Sequence, residues 1–147
     1  MKRFVFKLEK IRRLREFAEE QAKIELGKAI GILSGIENEI KITAQKRSSA
    51  TQQRFSAKSS AAIGGDQLDM LAWDNYIARL DRETEELLQK AAEAELVVEQ
   101  KRGIYLNASS ELKVMEKLKE KREQEYRKEY FAAETRELDD LRRVPPA

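Results

Sequence analysis

From Trp73 to Ala133 an apolar or seam-compatible residue returns every four and then three positions, and this row constrains the fold most. It runs Trp73, Ile77, Leu80, Thr84, Leu87, Ala91, Ala94, Val98, Lys101, Tyr105, Ala108, Leu112, Met115, Lys119, Arg122, Tyr126, Glu129, Ala133. A repeat of 3.5 residues keeps one stripe turned toward a partner along a left-handed supercoil, so the row predicts one long coiled-coil helix. The stripe is well formed as far as Met115 and then becomes polar while its phase continues. A fading stripe on a long helix predicts a rod that offers a surface to other molecules.

Composition fits that reading. Of 147 residues 38% are charged and 7% aromatic, with two prolines and six glycines. Such mixtures, carrying this period, form coiled coils or long helices rather than compact globules. A single domain, 1–147, is expected, with no deep pocket for a small substrate. Cysteine and histidine are both absent. Their absence removes disulfides, thiolate nucleophiles, the usual zinc ligand sets and imidazole acid–base chemistry, and it fits a reducing compartment. No run approaches the roughly 20 apolar residues that span a bilayer, so no transmembrane segment is expected. The N-terminal MKRFVFKLEKIRRLR is charged throughout and lacks the apolar core of a signal peptide.

The first helix carries the same pattern less cleanly. Phe4, Leu8, Ile11, Arg15, Ala18 and Ala22 step by fours and threes; Ala18, Ala22 and Leu26 then form an eleven-residue stutter. The seam resumes at Leu26, Ala29, Leu33, Ile36, Ile40 and Thr43. Gly64-Gly65 suits a helix C-terminus, Asp66 the N-cap of the next helix, and Asp69 its first turn. Arg142 and Arg143 suit the end of that helix, which Pro145-Pro146 cannot continue. The expected architecture is all-α, an antiparallel two-helix coiled-coil hairpin: helix 1 over about 3–62, a turn at 63–66, helix 2 over about 67–143.

Folding the chain about Gly64 places Ala50 and Ala57 near Arg79 and Ala72, Ile36 near Glu93, Ile11 near Leu118 and Phe4 near Glu125. Everything after about Tyr126 then lacks a partner from helix 1, an overhang of roughly 25 Å at 1.5 Å per residue. It carries Tyr126, Tyr130, Phe131, Ala133, Leu138 and Leu141. An apolar stripe with no internal partner predicts an external one.

Little chemistry is encoded. There is no phosphate-cradling glycine loop, no metal-ligand motif and no nucleophile with a base. Glu85-Glu86 and Asp139-Asp140 read as solvated helix faces, because nothing buries them. No enzyme activity, catalytic residue, metal or cofactor is expected. Gly27, Gly31 and Gly35, spaced by four, form either a groove for close approach of another backbone or a tolerated strip on an outer face. The basic N-terminus, with seven cations and one acid in residues 1–15, opposes the helix dipole. It meets either an acidic partner or the acids Glu116, Glu120, Glu123 and Glu125 brought alongside. Nucleic acid is not expected, since the chain is nearly neutral and has no base-reading module. Residues 109–130 mix seven basic and six acidic side chains around Leu112, Met115 and Leu118.

The opening FVFKLEKIRRLREFAEEQAKIELGKA, the Trp/Tyr-bearing start of helix 2, and VVEQKRGIYLNASSELKVMEKLKEKREQEYRKEYFAAETRELDDL together resemble the FliJ family. The sharpest part is Glu116-Lys117-Leu118 with the charged run, the tyrosines and Asp139-Asp140, where Asp-Glu is typical of the family. FliJ proteins are coiled-coil components of bacterial flagellar type III export, similar to the central stalk of rotary ATPases. The resemblance implies a cytoplasmic, non-enzymatic stalk and escort protein at the inner-membrane face of the flagellar base. It implies the hexameric export ATPase FliI, FliH, the gate protein FlhA and export chaperones as partners. By the same analogy Arg12, Arg13, Arg15, Leu118, Arg122, Tyr126, Tyr130 and Phe131 lie on the ATPase side, and Arg47, Arg54, Phe55 and Lys58 on the gate side. Two other readings remain open: a self-associating tether or filament subunit, and the equivalent stalk of an injectisome-type system.

Overall fold

The computed structural model describes residues 3–61 and 67–143. The fold class is all-α: α1 spans Glu9–Ala61 and α2 spans Gln67–Arg142, packed against each other as a helical hairpin. The expected turn residues Gly64, Gly65 and Asp66, and Pro145-Pro146, lie outside the described residues. The chain forms two compact units, one of Met1–Lys23 with Ile104–Ala147, the other Ile24–Gly103.

Within the second unit the expected heptad holds. Ala29, Thr43 and Ala50 on α1 are buried, as are Leu80, Ala91 and Val98 on α2. Ala50 and Leu80 are the most enclosed, at 1% and 2% exposure, consistent with small residues of one seam receiving large ones of the other. Thr43 sits in the seam without an orphaned hydroxyl, because its Oγ1 donates to the Glu39 carbonyl at 2.9 Å. Thr84 does the same to the Leu80 carbonyl, also at 2.9 Å. Register is antiparallel: Arg47 pairs with Asp81 at 2.6 Å, and Arg54 pairs with Asp74. Both pairs are mirrored about residue 64, as folding at the glycines predicts.

The first unit departs from expectation in three places. Residues 3–8 are not helical, so α1 begins at Glu9 rather than near residue 3. Its opening alternates instead: Phe4, Phe6 and Leu8 are shielded while Arg3, Val5 and Lys7 are exposed. A shielding period of two fits the non-helical backbone of residues 3–6, which aromatic residues tolerate well, and residues 7–8 form a turn. A turn closed by Glu9 N–H donating to the Phe6 carbonyl at 3.1 Å leads into the helix. Starting there also places Glu9, an acid, in the first turn. Residues 3–8 thus form a short strap ahead of α1, with Phe6 buried and Phe4 half-buried.

Second, the stutter through Ala18, Ala22 and Leu26 does not occur. Ala18 is exposed and Ile11 is 41% exposed, while Leu8, Arg12, Glu19, Ala22 and Leu26 continue one heptad. Arg12 can hold a seam position because its aliphatic stem packs while its guanidinium reaches Glu9 and Glu16 at 2.7 and 3.1 Å. Third, the α2 row slips after Lys119. Tyr126 keeps its place, half-buried, but Arg122, Glu129 and Ala133 are exposed, and Glu123 and Tyr130 are half-buried instead. Opposite them lies the strap rather than a helix. Nothing there enforces a 3.5 repeat, so a straighter helix of 3.6 residues per turn drifts by one position.

Candidate partner-docking surface

The end of α2 in the first unit carries a bare apolar stretch. Every residue from Phe131 to Arg143 is exposed, roughly 18 Å of helix at 1.5 Å per residue. Phe131, Leu138 and Leu141 are 62%, 58% and 71% exposed. The bare stretch thus starts slightly later than Tyr126, whose ring lies 5.5 Å from that of Phe4. Tyr130 stacks edgewise on Phe131 at 6.0 Å and donates its hydroxyl to Glu134 at 2.7 Å. That hydrogen bond to a carboxylate, followed by partial desolvation, raises its pKa above 10. Acids Glu134, Glu137, Asp139 and Asp140 accompany the stripe.

The structure gives Arg12, Arg13 and Arg15 intramolecular partners. Arg12 binds Glu9 and Glu16, Arg13 approaches Glu9 at 3.6 Å, and Arg15 reaches Glu111 on α2 at 2.5 Å. Lys119 closes on Glu9 at 3.2 Å. The acids engaged are therefore Glu9, Glu16 and Glu111, not those expected alongside; Glu123 instead takes Arg127 at 3.3 Å. Glu9 is the hub. The Arg12 hydrogen bonds, opposed by desolvation and assisted by Lys119, hold its carboxyl at about 2, well below 4.5. Leu118 is half-buried and Arg122 exposed. Of the residues assigned by resemblance to the ATPase side, Arg122 and Phe131 are exposed, Arg13 is exposed but paired with Glu9, and Arg12 and Arg15 are engaged at home.

Sequence reasoning missed Phe6, buried at 6%, and Glu9 as a hub. The alternation in FVFKL was the available signal. An open groove of about 690 Å³ runs beside the strap, lined by Arg3, Val5, Arg13 and Lys119 among others. On the outer side of α1, Leu14 and Phe17 are also 67% and 64% exposed.

In the second unit, Arg47 and Arg54 are committed to Asp81 and Asp74, whereas Lys58 is exposed and Phe55 is 70% exposed. Leu68 and Leu71, at the start of α2, are 70% and 56% exposed. Gly27, Gly31 and Gly35 are exposed, and an added Cβ would meet nothing within 4 Å at any of them. Among the described residues no group of three acidic side chains is arranged to hold a metal, and no helix is long and apolar enough to cross a membrane.

Compared with known protein families, residues 4–144 match the family model FliJ, described as flagellar FliJ protein. No curated protein and no solved structure is similar enough to add to that match.

Proposed function

The chain belongs to the FliJ family of flagellar export proteins, and from that premise we propose that it is a non-enzymatic stalk and escort between the export ATPase ring and the export gate. One observation carries the ATPase side: α2 outruns α1 and leaves Phe131, Leu138 and Leu141 bare. An apolar helix face of that kind is the usual ligand of a hydrophobic groove, read through anchors three, four and seven residues apart. In this reading the overhang enters the ring of FliI. Phe131 and Tyr130 are the anchors, with Arg13 and Arg122 at the rim. Leu118, Tyr126, Arg12 and Arg15 act from behind, by fixing the helix that presents them.

The gate side is assigned to the turn-proximal surface of the second unit. Phe55 and Lys58, with Leu68 and Leu71, present apolar and cationic groups there for FlhA. Arg47 and Arg54 shape that end through their ion pairs. FliH and export chaperones complete the proposed partners, and the site of action is the cytoplasmic face of the inner membrane at the flagellar base. A helical protein engaging both partners would couple ATP hydrolysis and the ion gradient to export.

The test is stimulation of the purified export ATPase by the full chain and by a chain lacking residues 131–147. Loss of stimulation with helicity otherwise kept supports the assignment; retained stimulation refutes it.

A further inference from the structure

Residues 3–8 do more than precede a helix. Phe4 lies on Tyr126 at 5.5 Å and Phe6 is almost fully buried. Tyr130 shares a helix face with Tyr126, and its ring meets that of the bare Phe131 at 6.0 Å, so the covered patch adjoins the exposed end of α2. The strap thus caps the inner end of the surface assigned to the partner. It is not sealed down, since the groove of about 690 Å³ opens along it. Its backbone joins α1 only at its end, through the Phe6 and Leu8 carbonyls, and its anchorage leads into Glu9, which Lys119 fastens to α2 and Arg12 holds from within α1. Those two ion pairs lie on the α1 side of the turn, so the strap can lift while the first turn of α1 stays in place.

We infer that the strap is a removable cover, and that an apolar partner surface gripping the overhang competes with Phe4 and Phe6 for the stripe around Tyr126. This rests on the overhang being the docking surface. With the strap closed the partner finds a short stripe; with it lifted the stripe lengthens inward by more than a helical turn. A first contact at Phe131 and Leu138 followed by displacement of the strap is a two-step engagement. The apparent affinity is lowered by the fraction of molecules in which the cover is shut.

The test uses the full chain with Phe4→Ala and Phe6→Ala together, and two readings. Nitration of Tyr126, followed by mass spectrometry and compared with Tyr130 in the same molecule, is expected to become several-fold faster in the variant with helicity unchanged. Unchanged nitration, or loss of helicity in α2, overturns the proposal, because the strap would then be no cover or would be a structural brace. Binding to the purified export ATPase is expected to tighten by up to about tenfold, as a cover closed nine-tenths of the time would give. Equal or weaker binding overturns the competition. If neither chain binds the ATPase, the stalk reading fails, and the nitration ratio still decides the cover.

Discussion

Glu9, the first residue of α1, holds Lys119 of α2 at 3.2 Å through one carboxylate oxygen while Arg12 closes on the other at 2.7 Å. This hub fixes where the strap ends and the paired helices begin. Its folded pKa of about 2 lies below the ordinary 4.5, so its contribution to stability is complete above pH 4.5. That contribution is lost as the pH falls from there through about 2. A urea-midpoint series from pH 6 to 2 is expected to show the wild-type advantage over Glu9→Gln shrinking across that window. Parallel curves would mean the pairing contributes nothing.

Ile11 and Leu80 separate the observed register from the one first read. Leu80 is 2% exposed, and Leu80→Ala is expected to cost about 2–5 kcal/mol through lost burial and a cavity. Ile11 lies off the seam at 41% exposure, so Ile11→Ala is expected to cost less than about 1 kcal/mol. Denaturant unfolding measures both. A loss at Ile11 matching that at Leu80 would restore the stutter.

Replacing Gly27, Gly31 and Gly35 with alanine is expected to raise stability by about 1 kcal/mol per site, because the helix gains propensity and each Cβ meets open space. Partner capture measured alongside decides the groove: unchanged affinity makes the strip an outer face and nothing more.

The cross-helix pair Arg47–Asp81 is half exposed, and water screens it. A double-mutant cycle is expected to give a coupling below about 1 kcal/mol that shrinks with salt. Arg54–Asp74 behaves alike. A larger coupling would make these pairs, rather than Leu80 and Ala50, the fasteners of the second unit.

Much of this was legible in the sequence, for reasons that differ along the chain. The row from Trp73 to Lys119 is right at every step, because apolar burial against a second helix leaves a periodic trace. The antiparallel register expected from the glycine pair is the one that joins Arg47 to Asp81 and Glu9 to Lys119, although neither pair was read from the sequence. Errors gather where that logic lapses. Arg12 and Glu19 occupy seam positions by packing their stems, so an apolar count prefers Ile11 and Ala18 and invents a phase break. FVFKL alternates by two, but beside a long helical pattern the same residues can be threaded into a period of 3.5. Past Lys119 the partner is a strap, and a repeat assumed constant misplaces Arg122 and Glu129. The exposed stripe at Phe131, Leu138 and Leu141 was foreseeable from helix lengths alone; the cover over its inner end was not, because it depends on where α1 truly starts.

Hydrogen–deuterium exchange of the full chain, alone and mixed with the purified export ATPase, tests the central claim most directly. Residues 131–143 are expected to exchange fast alone, as an unpaired helical end does, and to become strongly protected in the mixture. Protection confined to other segments, with 131–143 exchanging as before, would contradict it.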